Sequence, residues 1–154
     1  TRRLVDEGIP AFTLDGDNLR HGINGDLGFE PSDRAESARR TAHMAAAMAE
    51  SGVISVVALL SPYHVDRSVA RAVHERAGVP FFEAFVDTPI EVCEQRDPKR
   101  LYARAHAGEL QNVTGVDAPY EAPMRPDLRL TDVGLDARVE LVLTLLRDAK
   151  LLER

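Results

Sequence analysis

The sequence predicts an α/β fold, a three-layer sandwich in which a parallel sheet carries helices on both faces. Two observations predict it. Short β-branched or aromatic segments alternate with stretches that repeat apolar residues at helical spacing, and glycine or proline separates them. The 154 residues, 44% hydrophobic and 29% charged, suit one domain with a sizeable core. We therefore expect a single domain over residues 1–154.

The first third of the chain predicts a helix, a strand and a second helix. Thr1 to Glu7 has helical character, and Gly8 ends it. Residues 11–14 form a short apolar strand, followed by a polar, glycine-rich loop to about Pro31. Ser32 or Asp33 can cap the next helix, with Glu36 as a capping-box partner. Alanines at helical spacing carry that helix to about Glu50.

The middle of the chain predicts a central strand. The continuous run 53–60 is typical of a parallel strand buried on both faces. A helix follows from about His64 to Ala77, with Val65, Val69 and Val73 along one stripe.

The last part predicts two more strands on either side of an irregular segment. We expect a strand over 81–86 and a short helix to Gln95, with Thr88 as its N-cap. Residues 97–126 contain four prolines and little periodicity, which is typical of a functional or disordered loop. A strand over 128–130 and a C-terminal helix from Leu135 complete the chain.

Residues able to bind a phosphorylated ligand follow the first strand directly. Asp15, Asp17 and Arg20 stand just past its C-terminal end, where ligands bind in open α/β sheets. Carboxylates there can hold Mg²⁺ or accept a proton, and an arginine can hold an anion. The alternative is ordinary turn chemistry. The combination favours phosphoryl chemistry.

Other candidate residues are individually ambiguous. Phe29 is either a core residue or a ring that stacks on a base. Arg34 and Ser37 share a face near a helix N-terminus, and could bind an anion or face solvent. Ser61 ends the central strand at a suitable ligand-contact position. The long loop carries cations that form either a solvated run or a lid over phosphates: Arg96, Lys99, Arg100, Arg104 and His106.

Composition excludes several classes of protein. The net charge of −6 provides no basic field for nucleic acid. The sequence contains no apolar run long enough to span a membrane. The single cysteine, Cys93, excludes an internal disulfide framework and fits a reducing cytoplasm. Because the chain opens on sequence typical of mid-helix, we expect further residues upstream of Thr1.

Together, these segments resemble the adenylylsulfate kinase family of P-loop kinases. The resemblance covers nearly the whole chain and rests on many ordered motifs. These are residues 14–22, 26–29, 33–36, 61–62, 85–89, 96–99, 101–102, 107–109, 114–117, 119–123 and 126–128.

The resemblance implies a reaction and its components. Members of this family transfer phosphate from ATP to the 3′-hydroxyl of adenosine 5′-phosphosulfate (APS), giving 3′-phosphoadenosine 5′-phosphosulfate (PAPS) and ADP. Mg²⁺ would accompany ATP. A homodimer and fusion to, or a complex with, a sulfurylase are also implied. The family's glycine-rich phosphate loop is absent from this sequence, and we expect it upstream of Thr1.

The resemblance also assigns residue roles. Asp17 would be the catalytic base and metal-site carboxylate, supported by Asp15, and Lys99 would meet the transferring phosphoryl group. Substrate would be bound by Arg20, Phe29, Arg34, Ser37, Leu60, Ser61, Asn112 and Val113. The lid, 97–126, together with Arg96 just before it, would contribute nucleotide contacts from Arg96, Arg100 and Arg104.

Four residues depart from the family pattern. Ser37 replaces an asparagine, Val113 a phenylalanine, Arg100 a glycine and His106 an arginine. These changes cluster around the acceptor, so two alternatives stay open. One is a related P-loop kinase with a different acceptor, and the other is an inactive module that binds an adenosine nucleotide.

Overall fold

The computed structural model describes residues 1–152, in a chain that divides into two compact units, Thr1–Phe81 and Phe82–Arg154. The first unit contains α1 (Arg2–Asp6), β1 (Ala11–Asp15), α2 (Gly16–Arg20), α3 (Pro31–Glu50), β2 (Ile54–Ala58) and α4 (His64–Ala77). The second contains β3 (Ala84–Val86), α5 (Ile90–Arg96), α6 (Leu101–His106), β4 (Leu128–Leu130) and α7 (Leu135–Asp148).

The core of the first unit forms where α3 packs on the β1–β2 pair. These strands are parallel, in a register that runs from Ala11 opposite Ile54 to Asp15 opposite Ala58. Ala45 of α3, only 1% exposed, packs with Leu14 and Leu19. Its small side chain lets the helix approach closely, so the end of β1, where Asp15 lies, is firmly supported.

Two expectations at the ends of helices in this unit were wrong. The polar loop after β1 begins with the short helix α2, because the side chain of Asp15 caps its N-terminus. Helix α3 begins at Pro31, not at a side-chain cap, and its N-cap Glu30 makes no side-chain cap bond. Glu36 forms no capping box because its carboxylate instead pairs with Arg39 and Arg40.

The second strand and α4 only partly match expectation. Strand β2 is shorter than predicted, and Val57 is exposed, whereas the prediction was burial on both faces. The sheet of this unit has two strands. The predicted span of α4 is confirmed, and Gly78 ends it in the left-handed conformation at φ 68°. Val73 is buried, but Val65 is 63% exposed.

The second unit pairs β3 with β4 in parallel, with Ala84 opposite Leu128 and Val86 opposite Leu130. Its buried side chains include Phe85 and Leu130. The predicted bounds of β4 and the start of α7 are confirmed.

Three expectations for the second unit need correction. Strand β3 is half the predicted length. Pro89, not Thr88, is the N-cap of α5. The segment 97–126 contains α6, because the Asp97 carboxylate accepts the Ala103 N–H at 3.0 Å and stabilises the start of that helix.

No helix in the described part of the chain is long and apolar enough to cross a membrane.

Candidate functional site

Asp15 and Asp17 lie at the junction of β1 and α2, but their settings differ. The Asp15 Oδ1 accepts the N–H groups of Asp17 at 3.1 Å and Asn18 at 3.2 Å. It is therefore occupied as the helix cap. Asp17 lies in the first turn of α2 and is exposed. The cap thus fixes the backbone that presents the Asp17 carboxylate at the strand end.

Arg20 and Phe29 are in direct contact, although nine residues separate them. Arg20 Nη1 donates to the carbonyls of Leu27 at 3.1 Å and Gly28 at 2.7 Å. Its guanidinium carbon lies 4.1 Å from the centroid of the Phe29 ring, which is cation–π distance. The loop carbonyls therefore hold Arg20 against the ring.

Arg34 approaches the same ring from α3. Its Nε donates to the Phe29 carbonyl at 3.0 Å, and its guanidinium carbon lies 5.9 Å from the ring centroid. Burial lowers the pKa of Arg34; Tyr63 acts in the opposite direction, and the like charge of Arg20 lowers it further. An anion placed here would relieve the repulsion between the two guanidinium groups.

These three side chains, Arg20, Phe29 and Arg34, form what we call the Phe29 platform. The Phe29 ring is 56% exposed although it is large and apolar. An accessible ring with two cations beside it can stack on a planar base and bind a linked anion. The structure therefore brings together three of the residues predicted for substrate binding.

Ser37 is a buried residue of α3 rather than an exposed one. It is 7% exposed, and its Oγ accepts a hydrogen bond at 2.9 Å from the Nδ2 of Asn24, which is 1% exposed. Sequence reasoning missed Asn24. Asn24 Oδ1 is buried without a protein hydrogen-bond partner.

Leu60, predicted as the last residue of the central strand, lies beyond the end of β2 at Ala58, and Ser61 follows it. Leu60 is exposed. Ser61 adopts a left-handed backbone at φ 39°, and its carbonyl accepts a 2.8 Å bond from Arg67 Nη1. A non-glycine residue held in that region is strained, which is common at ligand-binding positions.

In the second unit, most of the predicted lid cations are ion-paired. Arg96 contacts Asp132 at 2.6 Å, and Arg104 contacts Glu109 at 3.2 Å. His106 Nε2 lies 3.0 Å from Glu94. Lys99 and Arg100 are exposed, and Arg100 has φ 55° at the start of α6.

Asn112 and Val113 are held by one carboxylate that sequence reasoning also missed. The two oxygens of Asp117 accept the N–H groups of Asn112 at 2.8 Å and Val113 at 2.6 Å. The signal available in the sequence is the residue type, because aspartate side chains often bond nearby backbone groups in loops. This clamp orders the predicted base-contacting loop within its own unit.

The described residues include no group of three or more His, Cys, Asp or Glu side chains that could hold a metal ion by themselves. Mg²⁺ usually takes one or two protein carboxylates and completes its shell with phosphates and water. Asp17 fits such a single-carboxylate role, since it is exposed at the strand end.

Comparison with known proteins gives one consistent family. A family model described as adenylylsulphate kinase matches residues 1–131. The bifunctional enzyme CysN/CysC of Mycobacterium tuberculosis is 51% identical over 96% of this chain, which spans 24% of that relative's length. An adenylyl-sulfate kinase of Emericella nidulans is 43% identical over 98% of this chain and 77% of its own length.

A solved structure agrees with this family assignment. The Mycobacterium tuberculosis APS kinase CysC in complex with AMPPNP and APS matches with a TM-score of 0.93 and 51% identity, over 95% of this chain and 85% of that one. This match confirms the predicted α/β fold of P-loop kinase type. The sequence matches and the structural match lead to the same conclusion: the chain belongs to the adenylylsulfate kinase family.

Proposed function

We propose that this protein phosphorylates the 3′-hydroxyl of APS with ATP, giving PAPS and ADP. The observation that carries the proposal is the Phe29 platform, an exposed ring flanked by Arg20 at 4.1 Å and Arg34 at 5.9 Å. It offers a stacking face for adenine and two cations for the phosphosulfate. Family membership and the similar solved structure bound to APS and AMPPNP support it.

In this reaction the 3′-oxygen forms a bond to the γ-phosphorus of ATP. The bond from that phosphorus to the β–γ bridging oxygen breaks, and ADP leaves with its electron pair. We assign Asp17 to accept the hydroxyl proton. Asp15 acts through its cap on α2, so it positions Asp17. Positioning and charge neutralisation provide most of what phosphoryl transfer requires.

We assign Asp17 also as the protein ligand of Mg²⁺. When bound, Mg²⁺ neutralises charge on the phosphates of ATP. Lys99 adds a cation for the transferring group. We propose that residues 97–126 form the lid. For Arg96 and Arg104 to meet phosphate, each must exchange its present carboxylate partner for the nucleotide.

The remaining residues complete the proposed acceptor site. Leu60 and Ser61 contribute contacts from the end of β2, and Asn112 and Val113 from the loop that Asp117 orders. Ser37 shapes the site through Asn24. We also propose a homodimer, a sulfurylase as fusion or complex partner, and a cytoplasmic location consistent with the free Cys93.

Coupled ADP release tests the acceptor identity. The full-length protein is given MgATP with APS, AMP or adenosine in turn. We expect turnover with APS to exceed that with every other acceptor. Turnover with another acceptor and none with APS would assign the protein to a different acceptor class.

A further inference from the structure

Two neighbouring arginines of α3 bind the same carboxylate, but only one reaches beyond the helix. Arg39 donates to Glu36 through Nε at 2.7 Å and Nη2 at 2.8 Å, and Arg40 donates to it through Nε at 2.8 Å. Arg40 Nη1 also donates to the Ile23 carbonyl at 2.8 Å. Arg40 further forms a two-pronged pair with Asp26, at 2.6 and 2.9 Å.

A second bond ties the same loop to the same helix. In the sequence, Asn24 lies between Ile23 and Asp26, the two loop residues that Arg40 contacts. The Nδ2 of Asn24 donates a buried hydrogen bond to Ser37 Oγ. Residues 23–26 are therefore fixed to α3 at three successive points by a planar guanidinium and a buried amide. We call this set, Ile23, Asn24, Asp26, Ser37 and Arg40, the loop brace.

Direct contacts lead from the loop brace to the Phe29 platform. The carbonyls of Leu27 and Gly28, immediately after the braced residues, accept the hydrogen bonds of Arg20. Arg20 in turn lies over the Phe29 ring. A shift of the loop would therefore move both the ring and the cation that covers it.

We propose that Arg40 is a positioning residue for the acceptor nucleotide. It holds residues 23–26 on α3 and thereby fixes how Arg20 and Phe29 face each other. A guanidinium is required because its planar fork satisfies the Asp26 carboxylate while Nε stays on Glu36. A lysine retains the charge but cannot form both contacts with fixed geometry. The effect on the acceptor rests on the proposed function, whereas the brace itself does not.

Arg39 and Arg40 provide a matched pair of variants. We expect R40K to raise the KM for APS roughly tenfold while leaving the KM for ATP and kcat within about twofold, since it disturbs ground-state acceptor binding. R39K keeps a cation beside Glu36 and does not touch the loop, so both KM values should match wild type. D26N removes the carboxylate that pairs with Arg40, so it should raise the KM for APS as R40K does. Equal APS KM values for R39K and R40K would overturn the proposal.

A fluorescence measurement tests the brace without turnover. The chain contains no tryptophan, so F29W introduces a single fluorophore at the platform. We expect acrylamide to quench the indole roughly twofold faster in F29W/R40K than in F29W, and at the F29W rate in F29W/R39K. Equal quenching in all three proteins would overturn the brace. Faster quenching in F29W/R40K, with no turnover of APS by wild type, would reject the proposed function and retain the brace.

Discussion

Asp15 and Asp17 lie two positions apart, and we expect substitutions at these two positions to have different effects. Asp17 is exposed and lies in the first turn of α2, whereas Asp15 caps that helix. We expect Asp17→Asn to lower kcat by roughly 10² to 10⁴, the usual contribution of general acid–base catalysis. Its melting temperature should stay near that of wild type, because an exposed carboxylate contributes little to packing.

Asp15→Asn and Asp15→Ala are the matching controls. Asparagine keeps an N-cap acceptor, while alanine removes it and should cost about 0.5–2 kcal/mol of stability. Thermal unfolding separates these effects from catalysis. If Asp17→Asn turned over APS at a near-normal rate, Asp17 would have no part in the chemistry.

The lowered pKa of Glu36 predicts how the stability of the fold changes in acid. Its hydrogen bonds with Arg39 and Arg40 lower the pKa of its carboxyl from 4.5 to about 2. A folded-state pKa below the unfolded value stabilises the fold above the unfolded pKa, and that contribution disappears as pH falls through the folded pKa. We therefore expect the unfolding free energy to fall less between about pH 4.5 and about pH 2 in Glu36→Gln than in wild type.

Urea denaturation at pH 6, 4 and 3 measures this difference. Glu109→Gln is the control, since it removes an exposed pair with Arg104 inside the second unit. The same acid dependence in Glu36→Gln and wild type would contradict the assignment. Because Glu36 is solvent-accessible, we expect a modest effect that salt reduces.

At the scale of single residues, the sequence identified the candidate residues but not their hydrogen-bond and ion-pair partners. Its motifs pointed to Arg20, Phe29 and Arg34, and the structure brings these side chains together. The bond of Ser37 to Asn24 and the pairing of Arg96 with Asp132 depend on chain segments that only folding brings together. Residue type and spacing carry no information about such long-range pairs.

Among the elements, strong periodicity or strong end signals predicted structure well. Helix α4 and strand β4 have the predicted bounds. Gly78 stops the helix, and the strand is a short Leu-Arg-Leu alternation. The short helices α2 and α6 were missed. Each has five or six residues, too few to show a period, and each depends on an aspartate bond to its first turn.

The packing of α3 gives a prediction at the scale of elements. Ala45 is 1% exposed between Leu14 and Leu19, whereas Ala47 on the same helix is exposed. We expect Ala45→Leu to lose about 1–3 kcal/mol of unfolding free energy through overpacking. Ala47→Leu should change it by less than about 0.5 kcal/mol. Urea midpoints measure both, and equal midpoints would contradict the described α3 packing.

For the whole molecule, the chain combines a family assignment with candidate residues in each of its two units. The Phe29 platform and Asp17 lie in the first unit, and Lys99 and the Asp117 loop lie in the second. The sequence motifs pointed to both groups of residues. The structural match confirms the predicted α/β class. In the proposed function the acceptor contacts include the altered residues Ser37 and Val113, so acceptor identity needs a direct chemical test.

That test is to follow the γ-phosphoryl group itself. The full-length protein is incubated with ATP labelled at the γ-phosphorus, Mg²⁺ and APS, and the labelled product is separated and its phosphate position determined. We predict that the label moves to the 3′-oxygen of APS in step with ADP formation. Label that stayed in ATP, appeared as inorganic phosphate or entered a different acceptor in preference to APS would contradict the proposed function.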